Sequence, residues 1–262
     1  MFIHNFDPVL VNLYFIEIRW YSLAYVFGII FGWIYAKKII RKIRYNNSLH
    51  NLKVDDFDEF IFYLVIGIIV GGRLGYVLIY NYNYYIENLI EIFFIWNGGM
   101  SFHGGLLGTI AATIFFTRKK KIDTFIYLDI IACVVPIGLF LGRISNFING
   151  ELYGKISNIA WSVVFPDIDS SPRHPSQIYE ALLEGILLFV IINFLAFKKN
   201  LIFKSGLISA YFLFFYAVLR IFSEIFREPD QQLGFLFYSL TMGQLLSAIM
   251  ILFGITIYFI KK

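Results

Sequence analysis

The sequence predicts an all-α polytopic membrane protein with seven transmembrane helices. Its 262 residues are 59% hydrophobic and only 15% charged, whereas a soluble domain is roughly 45–50% apolar and about 25% charged. The apolar residues form long blocks, each close to the roughly 20 residues that cross a hydrocarbon core. Lysine and arginine gather in alternate connections between these blocks. Together these observations predict a membrane-spanning helical bundle.

The apolar blocks give the seven predicted spans. They are Trp20–Ala36, Phe57–Tyr80, Leu89–Phe116, Phe125–Leu141, Ile178–Phe197, Gly206–Phe226 and Phe235–Ile260. The third block contains Gly98-Gly99 and Gly104-Gly105, so it predicts a broken or irregular helix that lines a protein interior.

Basic residues predict the orientation of the spans. Fifteen of the 22 lysines and arginines fall after spans one, three, five and seven. Because cytoplasmic connections are enriched in these residues, the N-terminus is predicted outside and the C-terminus in the cytoplasm.

The connection between spans four and five, about residues 148–176, is the longest external one and predicts a small head. Residues Trp161–Phe165 in it alternate weakly and predict a short strand. Pro8–Ile18 is expected to lie against this head or in the membrane interface. Residues 1–262 are otherwise predicted to form a single integral-membrane domain.

Seven basic residues are not explained by this topology, because they fall in spans or on the external side. Six of them are arginine, whose planar fork binds phosphate or carboxylate in a bidentate manner. The alternative is that each one reaches lipid headgroups or pairs with a glutamate of the chain, such as Glu151, Glu180, Glu184, Glu224 or Glu228. The seven residues are Arg19, Arg73, Arg143, Lys155, Arg173, Arg220 and Arg227.

Four polar clusters stand out within the apolar sequence. One contains Arg73 and another surrounds His103 with glycines, where a histidine titrates near neutral pH. Two more place Arg143 beside Asn146, and Arg220 in register with Glu224 and Arg227 on one helix face. An internal Arg220–Glu224 pair is the simplest structural explanation of the last cluster, but by itself it leaves Arg143 and Arg227 unexplained.

Several kinds of site are not indicated by the sequence. The single cysteine, Cys133, lies mid-span and is predicted to be a small buried side chain. Neither a metal-ligand set nor a phosphate-binding glycine loop is evident. We therefore predict no metal and no cofactor.

Four motifs, in order, resemble those of bacterial prolipoprotein diacylglyceryl transferases. They are Met100-Ser-Phe-His-Gly-Gly105, Gly142-Arg-Ile-Ser-Asn-Phe-Ile-Asn-Gly-Glu-Leu-Tyr-Gly154, Arg173-His-Pro-Ser-Gln-Ile-Tyr-Glu180 and Arg220-Ile-Phe-Ser-Glu-Ile-Phe-Arg-Glu-Pro-Asp230. Trp20-Tyr21 at the first span matches as well. The chain departs from the family at Ser145, where glycine or alanine is usual, although serine is still small.

The resemblance implies a substrate and a reaction. Members of the family move the diacylglyceryl group of phosphatidylglycerol onto the thiol of a lipobox cysteine in the signal peptide of a prolipoprotein. A thioether forms and glycerol phosphate leaves, which is the first step of bacterial lipoprotein maturation. The family fold is seven membrane helices with a small periplasmic head, so the resemblance implies a multi-pass protein of the bacterial cytoplasmic (inner) membrane, with its active site toward the external leaflet. The partners are membrane lipid and the prolipoprotein, with no nucleic acid.

This chemistry assigns expected roles to the clusters. A thiol is mostly protonated at neutral pH, so a base helps it to ionise. His103 is the expected catalytic base, with Glu224 as the alternative. Arg143 and Asn146 are expected to bind the phospholipid headgroup, and Arg220 the leaving phosphate, with Glu224 orienting Arg220. Supporting roles are expected for Tyr21, Asn149, Glu151, Gly154, Gln177, Glu180 and Arg227.

Three other functions compete with this interpretation. A transporter or flippase of anionic lipids would also need internal arginines, but it is expected to show repeat symmetry or charge on both sides of a pore. An intramembrane hydrolase would need paired aspartates or a serine with a histidine, whereas Asp129 stands alone in its span. A structural scaffold would leave the arginines without a purpose.

Overall fold

A computed structural model describes residues 2–14, 17–46, 52–229 and 240–262, with the side chains of residues 46, 97, 102 and 103 outside this description. The described chain is mostly helical, with short strands. The helices are α1 Trp20–Asn46, α2 Val54–Gly75, α3 Tyr82–Glu87, α4 Phe102–Lys120, α5 Thr124–Ile148, α6 Ser176–Glu180, α7 Leu188–Phe197, α8 Leu207–Glu224 and α9 Met242–Lys261. The strands are β1 Phe2–Ile3, β2 Val9–Asn12, β3 Glu17–Arg19, β4 Val163–Val164 and β5 Pro172–Arg173.

Six stretches of the described chain are long and apolar enough to cross a membrane. They confirm the multi-pass helical class and correspond to six of the seven predicted spans. The stretches are Trp20–Tyr45, Val54–Tyr80, Thr124–Ile148, Ser176–Phe197, Leu207–Glu224 and Met242–Lys261. The predicted seventh span began at Phe235, but residues 235–239 lie outside the described chain. The number of spans and their orientation stay predictions.

The predicted third span differs from the structure. Residues 89–97 form 3₁₀ turns, and a continuous helix begins only at Phe102. Gly98 and Gly99 adopt φ values of +80° and +78°, which is the left-handed region that favours glycine, so the predicted irregularity is confirmed there. At Gly104-Gly105 the prediction of a break is wrong, because both glycines lie within α4.

Close helix packing explains the glycines of α4. A Cβ on Gly104 would lie 2.9 Å from the Cα of Gly75, and a Cβ on Gly71 would lie 2.8 Å from the Cα of Gly108. Small residues let two helix backbones approach in a membrane, where dispersion drives helix association. The glycines therefore hold α2 against α4.

The chain divides into two compact units, Met1–Ala36 with Asp129–Lys262, and Lys37–Leu128. In the first unit, a buried carboxylate binds the start of α8. Asp129 accepts hydrogen bonds from the backbone N–H of Gly206 and of Ser209, both at 2.7 Å, and from the Ser209 hydroxyl at 2.6 Å. A carboxylate there satisfies N–H groups that no helical carbonyl can reach. Asp129 thus serves as a helix cap. Cys133, one turn further along α5, is fully buried, which confirms its predicted environment.

The head, residues 149–175, joins the N-terminus through a small sheet in the order β1-β4-β5. Strand β1 runs parallel to β4, and β4 runs antiparallel to β5. The predicted strand in Trp161–Phe165 is confirmed in its centre, at Val163–Val164. His4 fixes the N-terminus further, because its Nε2 lies 2.7 Å from the carbonyl oxygen of Phe147.

Candidate active site

Three arginines and three glutamates form a buried cluster in the first unit, which we name the Arg–Glu cluster. Its members come from α5, from the helical stretch 176–187, and from α8 with the residues just after it. They are Arg143, Glu180, Glu184, Arg220, Glu224 and Arg227. Their formal charges sum to zero, so each buried charge has a partner, as an apolar interior requires.

Glu180 is the centre of the cluster and is fully buried. Its Oε2 lies 2.9 Å from Nη1 of Arg143, and its Oε1 lies 2.6 Å from Nη1 of Arg220. Nη1 of Arg227 is 3.6 Å from the same Oε1. One carboxylate therefore holds three guanidinium groups together.

Glu184 and Glu224 complete the pairing. Glu184 lies 3.2 Å from both Arg143 and Arg220 and accepts a hydrogen bond of 3.2 Å from the Ser223 hydroxyl. Glu224 Oε2 lies 2.7 Å from Nη2 of Arg220. The first turn of α9 covers this carboxylate, since a Cβ on Gly243 would lie 3.0 Å from it.

Local helix geometry places the two fully buried glutamates on the same face of the helical stretch 176–187. Glu180 and Glu184 are separated by four residues, so they lie one turn apart. Residues 181–187 form a π-helix, a widened turn that often occurs at functional sites. On α8, Arg220 and Glu224 have the same four-residue spacing.

The structure shows how the arginines are paired. The Arg220–Glu224 pair is confirmed, and the alternative that the arginines pair with glutamates of the chain holds for Arg143 and Arg227 as well. Both of these arginines contact Glu180, which is 40 residues from Arg220 in the sequence. In the sequence, the spacing Glu180-x-x-x-Glu184 within an apolar block could have identified Glu184 as a site residue. Glu184 was considered only as an alternative ion-pair partner.

Arg143 lies at the most accessible edge of the cluster. Its side chain is 15% exposed, compared with 10% for Arg220 and 7% for Arg227, and 0% for Glu180 and Glu184. Its two terminal nitrogens each face a different glutamate. Arg143 is therefore the most exposed member of the Arg–Glu cluster.

A second polar group surrounds Glu151. Nδ2 of Asn146 donates to Glu151 Oε1 at 2.7 Å, and Nδ2 of Asn149 donates to the same oxygen at 3.4 Å. Nε2 of Gln177 donates to the Glu151 carbonyl at 2.7 Å. The buried Oε1 of Gln177 has no hydrogen-bond partner in the described chain. The predicted supporting residues Asn149, Glu151 and Gln177 are thus brought together with Asn146.

Two tyrosines of α1 form a pair on the same unit. The hydroxyl of Tyr25 donates to that of Tyr21 at 3.4 Å, and their rings are 5.2 Å apart. Sequence reasoning selected Tyr21 but missed Tyr25, although the four-residue spacing places both on one helix face.

Gly154 is where the head meets the end of α8. The backbone N–H of Gly154 donates to the His174 carbonyl at 3.0 Å, and the next N–H, of Lys155, donates to the Phe226 carbonyl at 2.9 Å. A Cβ on Gly154 would lie 2.7 Å from both the Cβ of His174 and the carbonyl oxygen of Phe226. Any larger residue at this position would force the neighbouring backbone to move. Gly154 therefore allows the head to pack closely against the segment that ends in Arg227.

Gly154→Ala is therefore expected to destabilise the protein by about 1–3 kcal/mol, the usual cost of overpacking, and to lower activity because the segment that leads to Arg227 must shift. Gly142→Ala is the matched control from the same sequence motif. Gly142 lies in α5, and a Cβ there meets nothing within 4 Å, so activity should be unchanged. Equal activity of the two variants in a transfer assay would contradict this reading of Gly154.

Charged groups of the head have perturbed protonation. Arg173 donates to Asp169 at 2.6 Å and thereby holds the pKa of that carboxyl below its usual range. The pKa of His174 is lowered by burial and by the nearby Lys155 cation. His174 is therefore predominantly neutral at pH 7, and its Nδ1 lies 3.2 Å from the Tyr179 hydroxyl.

The remaining predicted site residue is His103. It lies in the first turn of α4, in the other compact unit, and its side chain is outside the description. Its expected role as a base stays a prediction. In the described part of the chain, no three histidine, cysteine, aspartate or glutamate side chains are grouped as metal ligands.

Apolar helices that enclose paired arginines and glutamates define a class: a multi-pass membrane protein with a buried, charge-compensated polar site. Comparison with known proteins gives the family within this class. The family model for prolipoprotein diacylglyceryl transferase matches residues 8–260. The chain belongs to the prolipoprotein diacylglyceryl transferase family.

Three relatives show the extent of the similarity, and each bears the name phosphatidylglycerol–prolipoprotein diacylglyceryl transferase. The protein from Rickettsia bellii strain OSU 85-389 is 53% identical over 96% of this chain and 94% of its own. The protein from Rickettsia felis is 54% identical over 95% of both chains. The protein from Rickettsia canadensis is 54% identical over 97% of this chain and 96% of its own. The similarity to these relatives therefore extends over nearly the whole chain.

Proposed function

We propose that this chain transfers the diacylglyceryl group of phosphatidylglycerol to the thiol of a lipobox cysteine in a prolipoprotein. The substrate names come from the relatives, which match nearly the whole chain. The observation that carries the proposal is the pair of guanidinium groups of Arg143 and Arg220, held on opposite oxygens of the buried Glu180. Such a pair offers planar donors to the phosphate of an anionic lipid.

The reaction needs both a nucleophile and a stabilised leaving group. The substrate thiolate attacks the glyceryl carbon that bears the phosphate ester, so a C–S bond forms as the C–O bond breaks. The bonding electrons leave with glycerol phosphate, and the thiol proton passes to a base. Arginines positioned in advance in an apolar site stabilise the negative charge that grows on the leaving group, and removal of one such donor typically costs about 10²–10³ in rate.

The accessible edge of the cluster suggests how the lipid binds. Arg143 would contact the headgroup phosphate with the N–H groups that its glutamate partners do not use, since a guanidinium carries five of them. Asn146, three residues further along α5, would assist it. Arg220, deeper in the cluster, would contact the phosphate as it leaves, while Glu224 keeps its guanidinium oriented through their 2.7 Å pair.

Transfer can be tested directly with purified protein, phosphatidylglycerol vesicles and a lipobox peptide. The peptide is expected to gain the mass of one diacylglyceryl group on its cysteine, while the same peptide with serine at that position gains nothing. A well-folded protein that yields no adduct would refute the proposed function. Replacing phosphatidylglycerol by a zwitterionic phospholipid is expected to lower the yield, because the arginines favour an anionic headgroup.

His103 is the proposed base, and its replacement separates it from Glu224. His103→Asn is expected to lower turnover by about 10²–10⁴-fold across pH 6–8, the usual contribution of a general base. Glu224 is the weaker candidate because its carboxylate is ion-paired with Arg220, so taking up a proton would disrupt that pair. If His103→Asn keeps near-normal turnover throughout this pH range, His103 is not the base and Glu224 takes its place as the candidate.

The orientation proposed from the basic residues puts the head outside the cytoplasmic membrane. The only cysteine is buried, so an introduced cysteine can be labelled with little background. In intact cells, a membrane-impermeant maleimide is expected to label Trp161→Cys in the head, where the side chain is 63% exposed. Lys199→Cys, just after α7, should react only after the cells are opened. The reverse pattern would invert the proposed topology.

A further inference from the structure

Arg73 is a buried arginine in the second compact unit, and it has no assigned role in the reaction. Its side chain lies near the end of α2 and is only 4% exposed. It donates five hydrogen bonds, and all five acceptors are main-chain carbonyl oxygens of residues 91–99. Its Nε contacts Ile92 at 2.8 Å, Nη1 contacts Gly98 at 2.5 Å and Gly99 at 3.2 Å, and Nη2 contacts Glu91 at 2.6 Å and Phe94 at 3.2 Å.

The segment that supplies these carbonyls has an irregular backbone and exposed apolar side chains. Residues 89–97 form two short 3₁₀ turns rather than a helix, so their carbonyls lack regular α-helical partners. The outward side chains are large and apolar: Leu89, Ile90, Phe93 and Trp96 are 64–76% exposed. Backbone carbonyls outside regular secondary structure need other hydrogen-bond partners when they are buried. Arg73 donates to five of them.

The same segment leads directly into the first turn of α4, which contains His103. Between them, the backbone N–H of Ser101 donates to the Gly72 carbonyl at 2.8 Å, and the Ser101 hydroxyl accepts from Gly104 at 3.1 Å. The Arg73 side chain thus binds the carbonyls of Gly98 and Gly99, and the Gly72 carbonyl binds Ser101, which follows this glycine pair closely. The path of the chain into His103 depends on these contacts.

We propose that Arg73 is a positioning residue: by binding five main-chain carbonyls of residues 91–99, it holds this exposed, apolar segment and the start of α4 in the arrangement that transfer requires. Only arginine presents five N–H donors in a fixed plane, whereas lysine offers three from one point. Tyr85 supports the guanidinium with its ring centre 5.1 Å away. The catalytic part of this inference rests on the proposed function, whereas the structural part does not.

The test compares Arg73→Gln, Arg73→Lys and the control Arg118→Gln, using full-length protein in phosphatidylglycerol nanodiscs. Arg118 is an exposed arginine in the last turn of α4, within the same unit. In Arg73→Gln, hydrogen exchange of residues 89–101 is expected to rise by about tenfold or more, because several hydrogen bonds that close the segment are lost. Exchange of residues 57–70 should stay unchanged. The kcat for transfer should fall by about tenfold or more, with a smaller change in KM for the lipid.

The Arg73→Lys variant distinguishes a loss of hydrogen-bond donors from a general loss of packing, because lysine restores some of the donors. Arg73→Lys is expected to show exchange and kcat between those of the wild type and of Arg73→Gln, while Arg118→Gln matches the wild type. Unchanged exchange in residues 89–101, or an equal rise throughout the chain in both Arg73 variants, would overturn the proposal. A local rise with unchanged kcat would overturn its catalytic part. If the wild-type protein shows no transfer, the proposed function fails, while the exchange data still decide whether Arg73 holds the segment.

Discussion

Arg143→Ala is expected to lower diacylglyceryl transfer by about 10²-fold or more, the effect of removing one positioned donor from a developing negative charge. Arg143 is the most accessible guanidinium of the Arg–Glu cluster, and it faces Glu180 at 2.9 Å and Glu184 at 3.2 Å. Its loss removes the proposed headgroup contact and also leaves part of the glutamate charge unpaired. Turnover with phosphatidylglycerol and a lipobox peptide measures the effect.

Arg143→Lys tests whether geometry or charge is responsible. A lysine ammonium is a single point charge, so it cannot face two glutamates and a phosphate as a planar guanidinium does. We expect it to keep at most about a tenth of the activity, since about 1.4 kcal/mol of lost stabilisation is enough for that effect. Arg19→Ala is the matched control, because the Arg19 side chain is 59% exposed and pairs only with the exposed Glu17 in the described chain. Full activity of Arg143→Lys would show that charge alone suffices.

Glu180→Gln is expected to cause the largest loss of stability. Glu180 is fully buried and contacts three arginines, so its neutralisation leaves three guanidinium groups with two carboxylates in the Arg–Glu cluster. Breaking a buried ion pair by removing one partner costs about 3–5 kcal/mol. The variant should therefore unfold at a clearly lower temperature in detergent and should also lose transfer activity.

Glu17→Gln provides the comparison for this prediction. Glu17 pairs with Arg19 at 2.8 Å, but both side chains are about half exposed. Exposed pairs contribute at most about 1 kcal/mol, so the unfolding temperature should hardly change. If Glu180→Gln were as stable as Glu17→Gln, the buried carboxylate would not be the counterion that holds the arginines, and our description of the cluster would be wrong.

Patterns within single segments predicted much of this protein. The lengths of the apolar blocks located six membrane-spanning helices, since a helix that crosses lipid needs a continuous apolar sequence. Spacing along α8 predicted the pair of Arg220 with Glu224, because residues four apart lie on one face of a helix. The motif around Arg143 indicated the family. Each of these features depends on neighbours within one helix.

Contacts between segments were predicted less well. Sequence spacing did not select Glu180, which lies on a different segment, from the other glutamates as the partner of Arg143 and Arg227. It also did not show that Gly104 packs against a neighbouring helix and leaves its own helix intact. It marked Arg73 as unexplained but did not reveal that main-chain carbonyls would be its partners. These interactions are decided by which helix faces meet and how closely the backbones approach.

The sequence by itself determined the membrane class, the location of six helices long and apolar enough to span a membrane, and the family of the chain. The tertiary structure alone decided that Glu180 is shared by three arginines, that Gly154 fits between the head and the end of α8, and that Arg73 satisfies the carbonyls of residues 91–99. The physical reason is that apolar length and helix periodicity are local properties of a chain. Charge compensation and backbone satisfaction in a buried site depend on groups that only folding brings within hydrogen-bond distance.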